Sequence, residues 1–291
     1  MILITGVTGT VGRAVMEALG KTGTPFRAMV RSEEDAKKLP AGTAVVVGDF
    51  ADKESLRRAF AGVERLFLVC SPIPQLVELE SNAIDACAEM GVQHVVLNSA
   101  LGAGDYPKSF PAWHTRAEKK LKSTQMGWTI LRPNSFMQNI VAYNAPSIRA
   151  QGAFYAAMGN AKLSLVGVRD VGAAAAHILL APGAHVGQTY ELNGPEAVSY
   201  GEVAQRITRI TGRPVQFVDI PEEAQRSAML GLGMPEWQVT ALLELQQYYS
   251  KLGKGGEVTE TLGKLLGRSP RRLDTFLEEN KDAFRGQAAG A

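Results

Sequence analysis

The stretch MILITGVTGTVGRAV, residues 1–15, sets glycines at 6, 9 and 12 directly behind a short apolar run. ILIT has the length and composition of a buried strand. Val11, Val15, Ala18 and Leu19 then recur at helical spacing. The glycines therefore occupy a strand-to-helix turn. A residue without Cβ lets backbone turn tightly and approach a ligand closely. The opening of a helix offers free N–H groups and a positive dipole end to a diphosphate. The spacing Gly6-x-x-Gly9-x-x-Gly12 departs from the common G-x-G-x-x-G, so the strand–turn–helix context carries the reading. Gly6, Thr8, Gly9, Thr10, Val11 and Gly12 are the first candidate cofactor-binding residues. A tight turn with no ligand is the competing reading.

The same alternation continues down the chain. PFRAMV, TAVVV, RLFLVC, HVVLN, WTILR and TYELN read as further strands. Between them lie SEEDAKKL and helical stripes at Leu56, Ala59, Phe60 and Val63; at Leu76, Leu79, Ala83, Ile84 and Cys87; at Trp113, Ala117 and Leu121; and over Asp170–Leu180. Apolar strands without period-2 alternation, each followed by an amphipathic helix, imply a parallel sheet covered on both faces. The expected fold is α/β, a doubly wound parallel sheet of Rossmann type, with a smaller, mainly helical C-terminal domain on the substrate side. The boundary is placed at 195/196, giving a nucleotide-binding domain over 1–195 and the smaller domain over 196–291. In the latter, SYGE at 199–202 is a capping box opening a helix, and VQFVDI reads as a strand. Helices are expected near 221–231, 236–250 and 271–284, with Pro270 at a first helical position. The terminal GQAAGA is expected to fray.

In such folds ligands bind outside the carboxyl ends of the strands. The second strand ends in Arg31-Ser32, nineteen residues past Gly12. An acidic residue there would hold ribose hydroxyls, whereas arginine suits a 2′-phosphate. NADP (as NADPH) is therefore favoured, and NAD stays possible, since Glu33 and Glu34 follow at once. Asp49-Phe50 follows the third strand and could touch the adenine; ordinary turn chemistry explains the aspartate equally well. Cys70-Ser71-Pro72 follows the fourth strand, and Asn98-Ser99 the fifth, where Ser99 could reach a substrate oxygen or the nicotinamide.

Bulk properties narrow the class. Of 291 residues, 45% are apolar and 21% charged, with a net charge of +2. That balance argues against a nucleic-acid partner held by phosphate neutralisation. Two cysteines without Cys-x-x-Cys spacing and four scattered histidines suggest neither disulfide nor metal. No signal peptide or membrane-spanning run is evident, so the cytoplasm is the expected compartment, with a monomer or homodimer.

Together, ITGVTGTVG, VRS (30–32), GDFAD (48–52), HTRAEKKL (114–121), WTILRPNSFMQN (128–139), LVGVRDVG (165–172), YELNGPEAVSYGE (190–202) and GRSPRRLDTFLEEN (267–280) resemble the short-chain dehydrogenase/reductase superfamily in its atypical, NmrA-like branch. The resemblance runs to about residue 285. It implies either an NAD(P)H-dependent reductase of quinones, triphenylmethane dyes or azo compounds, or a cofactor-binding redox sensor with little catalysis. The Pro133–Phe136 loop, with Pro133, Asn134 and Phe136, then joins the cofactor residues. The superfamily's usual Tyr-x-x-x-Lys pair is replaced: His114 stands where tyrosine would and Glu118 where lysine would.

His114 and Glu118 share a helix face at i,i+4. A glutamate could hold the histidine protonated near neutral pH, making it a proton donor. Alternatively, Glu118 pairs with Lys122 and His114 only packs. His114, Glu118 and Ser99 are the candidate catalytic residues. A quinone that accepts hydride becomes a phenolate, with a pKa of about 10, whereas a ketone becomes a far more basic alkoxide. Loss of the tyrosine thus favours a small aromatic or conjugated acceptor. Trp113, Tyr143 and Tyr155 are candidates for a flat-ligand pocket, each with plain core as the simpler role. A binding scaffold without chemistry is the third reading. Lys264, Arg268, Arg271 and Arg272 form the one basic cluster, read as a solvated helix start rather than a partner surface.

Overall fold

Seven of the apolar runs hydrogen-bond side by side, in parallel, into one sheet. In the computed structural model, which describes residues 1–285, the strands of this sheet are β1 (Ile2–Ile4), β2 (Phe26–Val30), β3 (Val45–Val47), β4 (Arg65–Leu68), β5 (His94–Asn98), β6 (Gly127–Pro133) and, later in the chain, β9 (Gln188–Leu192). Their order is β3-β2-β1-β4-β5-β6-β9. Every neighbouring pair is parallel, with Ile4 opposite Ala28 on one side and Phe67 on the other. The order reverses direction between β1 and β4, which is the topological switch point of a doubly wound fold.

The interleaved helices are α1 (Thr10–Gly20), α2 (Glu33–Ala36), α3 (Lys53–Phe60), α4 (Leu76–Glu89), α5 (Ser109–Lys122) and, following a longer segment, α7 (Val168–Leu180). Central strands alternate between two buried faces. Leu3, Leu66, Leu68, Val95, Leu97 and Ile130 pack with Leu56, Phe60, Ile84, Cys87 and Leu121 from α3, α4 and α5. Ile2, Ile4, Phe67, Val96 and Leu131 point the other way and are equally buried. Burying one such side chain stabilises the fold by about 1.5–3 kcal/mol, so the two-sided core explains why these strands lack polar alternation. Helices α1 and α7 meet closely: a Cβ on Gly172 would lie 2.5 Å from the Ala14 carbonyl carbon.

By contact the chain forms two units. The first comprises Met1–Pro133, Val168–Leu192 and Lys264–Gly267; the second comprises Asn134–Gly167, Asn193–Gly263 and the chain from Arg268. Residues 134–167, which the sequence groups with the first domain, thus cluster with the second unit.

The second unit holds α6 (Ala145–Gln151), β7 (Ala153–Ala156), β8 (Lys162–Leu163), β10 (Val198–Ser199), α8 (Tyr200–Thr211), β11 (Gln216–Asp219), α9 (Glu222–Gly231), α10 (Glu236–Ser250), α12 (Leu273–Glu279) and the first half of α11 (Thr261–Leu266). The capping box forms as its spacing implies: Ser199 Oγ accepts from the Glu202 amide, and Glu202 accepts from the Ser199 amide. VQFVDI contains β11, which pairs in parallel with β7; β7, β8 and α11 carry no sequence signal that marks them. The last α-helix begins at Leu273, not at Pro270. Arg206 bonds Glu196 at 2.9 Å and Asp274 at 3.2 Å, tying α8 to α12. GQAAGA lies outside the described residues.

Candidate cofactor and active site

The glycine turn sits at the switch point. Gly6 has φ of +62°, the left-handed region where a Cβ is strained. A Cβ there would also meet Val69 Cγ1 at 2.5 Å. On Gly12 it would lie 2.3 Å from the Gly6 carbonyl oxygen and 2.6 Å from that of Thr5. The turn closes with the Gly9 amide donating to the Gly6 carbonyl at 2.9 Å. Gly9 is the extended N-cap of α1, with no side-chain cap on the opening amides. A tight, uncapped turn of this kind is a candidate cradle for an anion, because the opening amides of α1 are left free of a side-chain cap. Thr8, Gly9 and Thr10 are exposed at its lip, while Val11 and Gly12 are buried beneath.

Thr5, which the sequence reading did not single out, fixes this cradle. Its Oγ1 bonds the Phe67 carbonyl at 3.0 Å and accepts from the Val69 amide at 2.9 Å. The ends of β1 and β4 are thereby stitched together under Gly6.

At the end of β2, Arg31 is 78% exposed, its nearest acid being Asp35 at 3.9 Å. Ser32 caps α2, with Oγ accepting from the Asp35 amide. Glu34 pairs with Lys37 at 2.8 Å and Asp35 with Lys38 at 2.7 Å, which occupies two of the acids beside Arg31. Asp49 is exposed, and its Oδ1 accepts from the Ala51 amide, which is turn chemistry. Phe50 is half-buried against the core, and its carbonyl accepts from Asn82. Cys70 is half-buried, with Ser71 and Pro72 exposed beyond it. Asn98 and Ser99 are buried at the end of β5.

Around Ser99 the side chains form a network. Ser99 Oγ donates to Glu118 Oε1 at 2.6 Å. Arg132, on β6, grips the same carboxylate with two bonds, Nε at 2.9 Å and Nη2 at 2.6 Å. Lys122 stands 3.7 Å from it. Burial opposes the Glu118 charge, but the hydrogen bonds from Arg132 and Ser99 and the nearby cations hold its carboxyl below the usual range. Arg132 runs under the loop joining β5 to α5, where a Cβ on Gly104 would touch Nη2 at 3.0 Å. The loop is pinned by the Gly104 amide donating to Thr115 Oγ1 at 2.7 Å. Ser109, at the start of α5, is the one non-glycine residue with positive φ (58°) among those described.

One expectation is reversed. Glu118 does not hold His114 protonated. Burial pushes the imidazole down to about 4, outweighing the opposite pull of Glu118. His114 is therefore neutral at neutral pH, and its buried Nδ1 has no hydrogen-bond partner. The carboxylate instead serves Ser99 and Arg132. The other three histidines gather at the amino-terminal edge of the sheet and beside it. His94 Nε2 bonds Thr129 Oγ1 at 2.9 Å, that hydroxyl donates to the His185 carbonyl, and His185 Nδ1 bonds the Tyr190 hydroxyl.

Pro133 ends β6 in the first unit, while Asn134 and Phe136 belong to the second. Asn134 Nδ2 donates to Asn193 Oδ1 and the Gly255 carbonyl, so its amide locks loops together. Phe136 is half-buried and bridges to Val166. Trp113 stacks edge-on against Phe110, whereas Tyr143 and Tyr155 are exposed. In the basic cluster Arg271 pairs with Glu279 and Arg272 with Glu196, as solvated structural charges do. A cleft of about 630 Å³ in the second unit is lined by Lys162, Asp219, Glu222 and Lys251 and contains no candidate residue. Its acids are engaged by backbone amides and Lys251.

The NmrA-like family profile matches residues 1–278. The chain belongs to the NmrA-like family. Among relatives, an NAD(P)H azoreductase of Xenophilus azovorans is 36% identical over 286 residues, covering 98% of this chain and 99% of that protein. Quinone oxidoreductase 2 of Escherichia coli (strain K12) is 32% identical over 277 residues, 94% of this chain and 96% of that one. The crystal structure of the NADPH-dependent quinone oxidoreductase from E. coli complexed with NADPH superposes with a TM-score of 0.89 at 31% identity, over 96% of this chain and 99% of that one. Citrobacter sp. triphenylmethane reductase complexed with NADP(H) gives 0.87 at 26%, over 97% and 100%. The NmrA-like assignment thus spans both units. No helix among the described residues is long and apolar enough to cross a membrane.

Proposed function

We propose that this chain is an NAD(P)H-dependent reductase, with NADPH as the favoured donor, that passes hydride to a quinone, a dye or another conjugated acceptor in the cytoplasm. The observation that carries the reading is the glycine turn at the switch point, which has no room for a Cβ at Gly6 or Gly12 and leaves the opening of α1 without a side-chain cap. The opening amides of α1 receive the diphosphate. Arg31 takes the 2′-phosphate, its side chain open to solvent and only loosely engaged by Asp35. Asp49 and Phe50 flank the adenine, and Cys70, Ser71 and Pro72 form the floor below the ribose. Asn98, Ser99 and Pro133 border the nicotinamide end. Bound in this way, the nicotinamide supplies the hydride.

The choice of acceptor follows from what the chain lacks. With His114 neutral and Glu118 anionic, the positions of the superfamily's tyrosine and lysine offer no cationic acid. An acceptor that becomes a stable anion, or loses a positive charge, on taking hydride suits such a site. Azo and quinone reduction by the named relatives supports this class.

The test is direct. NADPH absorbance is followed with a panel of quinones, azo compounds and triarylmethane dyes, beside melting curves with NADPH, NADP⁺, NADH and NAD⁺. A cofactor at one hundred times its dissociation constant raises stability by about 2.7 kcal/mol. Tight cofactor binding without turnover on any acceptor would instead favour a redox-sensing regulator, the reading that the missing tyrosine also permits.

A further inference from the structure

Three polar groups at the carboxyl edge of β4 and β5 are buried without partners. Both carboxylate oxygens of Glu80, Asn98 Oδ1 and His114 Nδ1 make no hydrogen bond. Glu80 and His114 both lie within electrostatic reach of Glu118, and buried polar atoms are normally satisfied, so unpartnered groups around one carboxylate call for an explanation. Glu80 is fully buried in the second turn of α4, the helix entered from β4 through Cys70, Ser71 and Pro72. Asn98 and Ser99 end the adjacent strand, and Ser99 is bonded to Glu118. Helix α5, carrying His114 and Glu118, packs along α4.

The charges facing Glu80 all favour its neutral form. Burial is the chief cause, the Glu118 anion adds to it, and the Cys70 amide opposes it without completing a hydrogen bond; the carboxyl is pushed up to about 8. From the end of β4, the Cys70 thiol is itself pushed up to about 12 by burial and by Glu80, and so carries no charge. The cations near Glu118 are Arg132 and Lys122, which its carboxylate already engages. Elsewhere on α4, Asp85 pairs with Lys120 from α5, and Glu89 with Arg57 from α3 at the far end. Among the described residues no ion pair reaches Glu80 itself.

We propose that Glu80 is the proton store of this crevice, a neutral carboxylic acid that gives up its proton through His114 to the oxygen anion left when a quinone takes hydride. This rests on the reductase reading above. The balance is simple. Hydride brings two electrons and one hydrogen to the acceptor, leaving an anionic oxygen. The Glu80 O–H bond breaks and an acceptor O–H bond forms, with the neutral imidazole gaining a proton at one ring nitrogen and releasing one at the other. The Glu80 carboxylate then recovers a proton from solvent. A phenolate of pKa about 10 is the stronger base, so the transfer runs downhill. A cationic triarylmethane dye needs no such proton, because hydride alone neutralises it.

The test combines spectroscopy with kinetics on the full chain. Infrared difference spectra of wild type and Glu80→Gln, without cofactor, should show a protonated carboxyl band at pH 7 that fades above pH 8 and is missing from the variant. Glutamine copies the shape of the neutral acid, so folding is retained. The variant should lower quinone reduction by about tenfold or more, slow it more than reduction of a cationic dye, and remove the fall in rate above pH 8. Absence of the band at pH 7, or a variant with the wild-type pH profile and the wild-type quinone-to-dye ratio, overturns the proposal. A wild type that oxidises no NADPH would sink the reductase reading, while the band would still decide whether Glu80 stores a proton.

Discussion

At the β1–β4 end of the crevice, backbone and side chain are joined by short, complete hydrogen bonds: Thr5 to Phe67 and Val69, and Gly9 to Gly6. What that end leaves free is the opening of a helix. At the β5–α5 end the opposite holds. Glu118 is over-coordinated by Ser99 and Arg132, while Glu80, Asn98 and His114 keep buried atoms unpartnered. The first region is built to be rigid around a fixed charge. The second holds its protonation states through burial, and a small change in surroundings shifts them. On the proposed reading, binding and proton handling are thereby separated along a single sheet edge.

The largest effect should come from breaking the rigid end. Gly12→Ala puts a methyl group 2.3 Å from the Gly6 carbonyl oxygen. Overpacking of this kind costs about 1–3 kcal/mol, and the backbone shift that relieves it closes the cradle. Melting curves should show both the lower stability and the loss of the roughly 2.7 kcal/mol that saturating NADPH confers. A variant that still gains this stabilisation would mean the diphosphate lies elsewhere.

Next comes the network at the other end. Arg132→Met removes the two hydrogen bonds that Arg132 gives Glu118, leaving a nearly buried carboxylate with Ser99 and with Lys122 at 3.7 Å. Breaking such a pair costs about 3–5 kcal/mol when it is deeply buried, and Arg132 retains some exposure, so about 3 kcal/mol is expected in urea unfolding at pH 7. The double variant Arg132→Met/Glu118→Gln should recover much of the loss, since no buried charge is then stranded.

The acid side of the pH profile tests burial directly. His94 and His114 are each held at about 4, chiefly by burial, from an ordinary value of 6.5. Above pH 6.5 both are neutral whether the chain is folded or not, and they add no pH dependence. As pH falls from 6.5 towards 4, the unfolded chain takes up protons that the folded chain refuses, so stability falls. The loss is about 1–2 kcal/mol for each histidine by pH 5. Urea midpoints at pH 7, 6 and 5 should decline accordingly, and His94→Gln should remove about half the slope. A flat profile would mean these rings are solvated.

Much of this arrangement is legible in the sequence, and the reason lies in range. The succession of strands and helices, the glycine turn and the capping box at Ser199 follow from local pattern, because periodicity and spacing act over a few residues. The Glu118–Arg132 pair is not legible in the sequence, because its members lie on a helix and a strand 14 residues apart, with a loop between. The nearer partners of Glu118, His114 and Lys122 at i,i+4, are what helical geometry offers, yet burial of the imidazole decides the charge of His114. Glu80 is hidden for a similar cause: on the pattern of α4 it is one polar residue of an amphipathic helix. Asn134 sits in a conspicuous motif, but its amide is engaged by Asn193 and Gly255, residues 59 and 121 positions away. Segment 134–167 shows the same limit at larger scale: β7 gains its meaning only from β11, more than sixty residues on.

The smallest effect concerns the outermost contact of the rigid end. Arg31 is mostly exposed, so its contribution to a bound 2′-phosphate is screened by solvent and salt. Arg31→Ser should weaken NADPH binding by about tenfold, or about 1.4 kcal/mol, while leaving NADH binding within about twofold. The comparison of the two cofactors matters more than either value. Loss of affinity for both would place Arg31 on the shared diphosphate or on the fold of α2, whose cap at Ser32 is the next residue. Loss for NADPH alone, diminishing as salt is raised, is the signature of one exposed cation reading one phosphate.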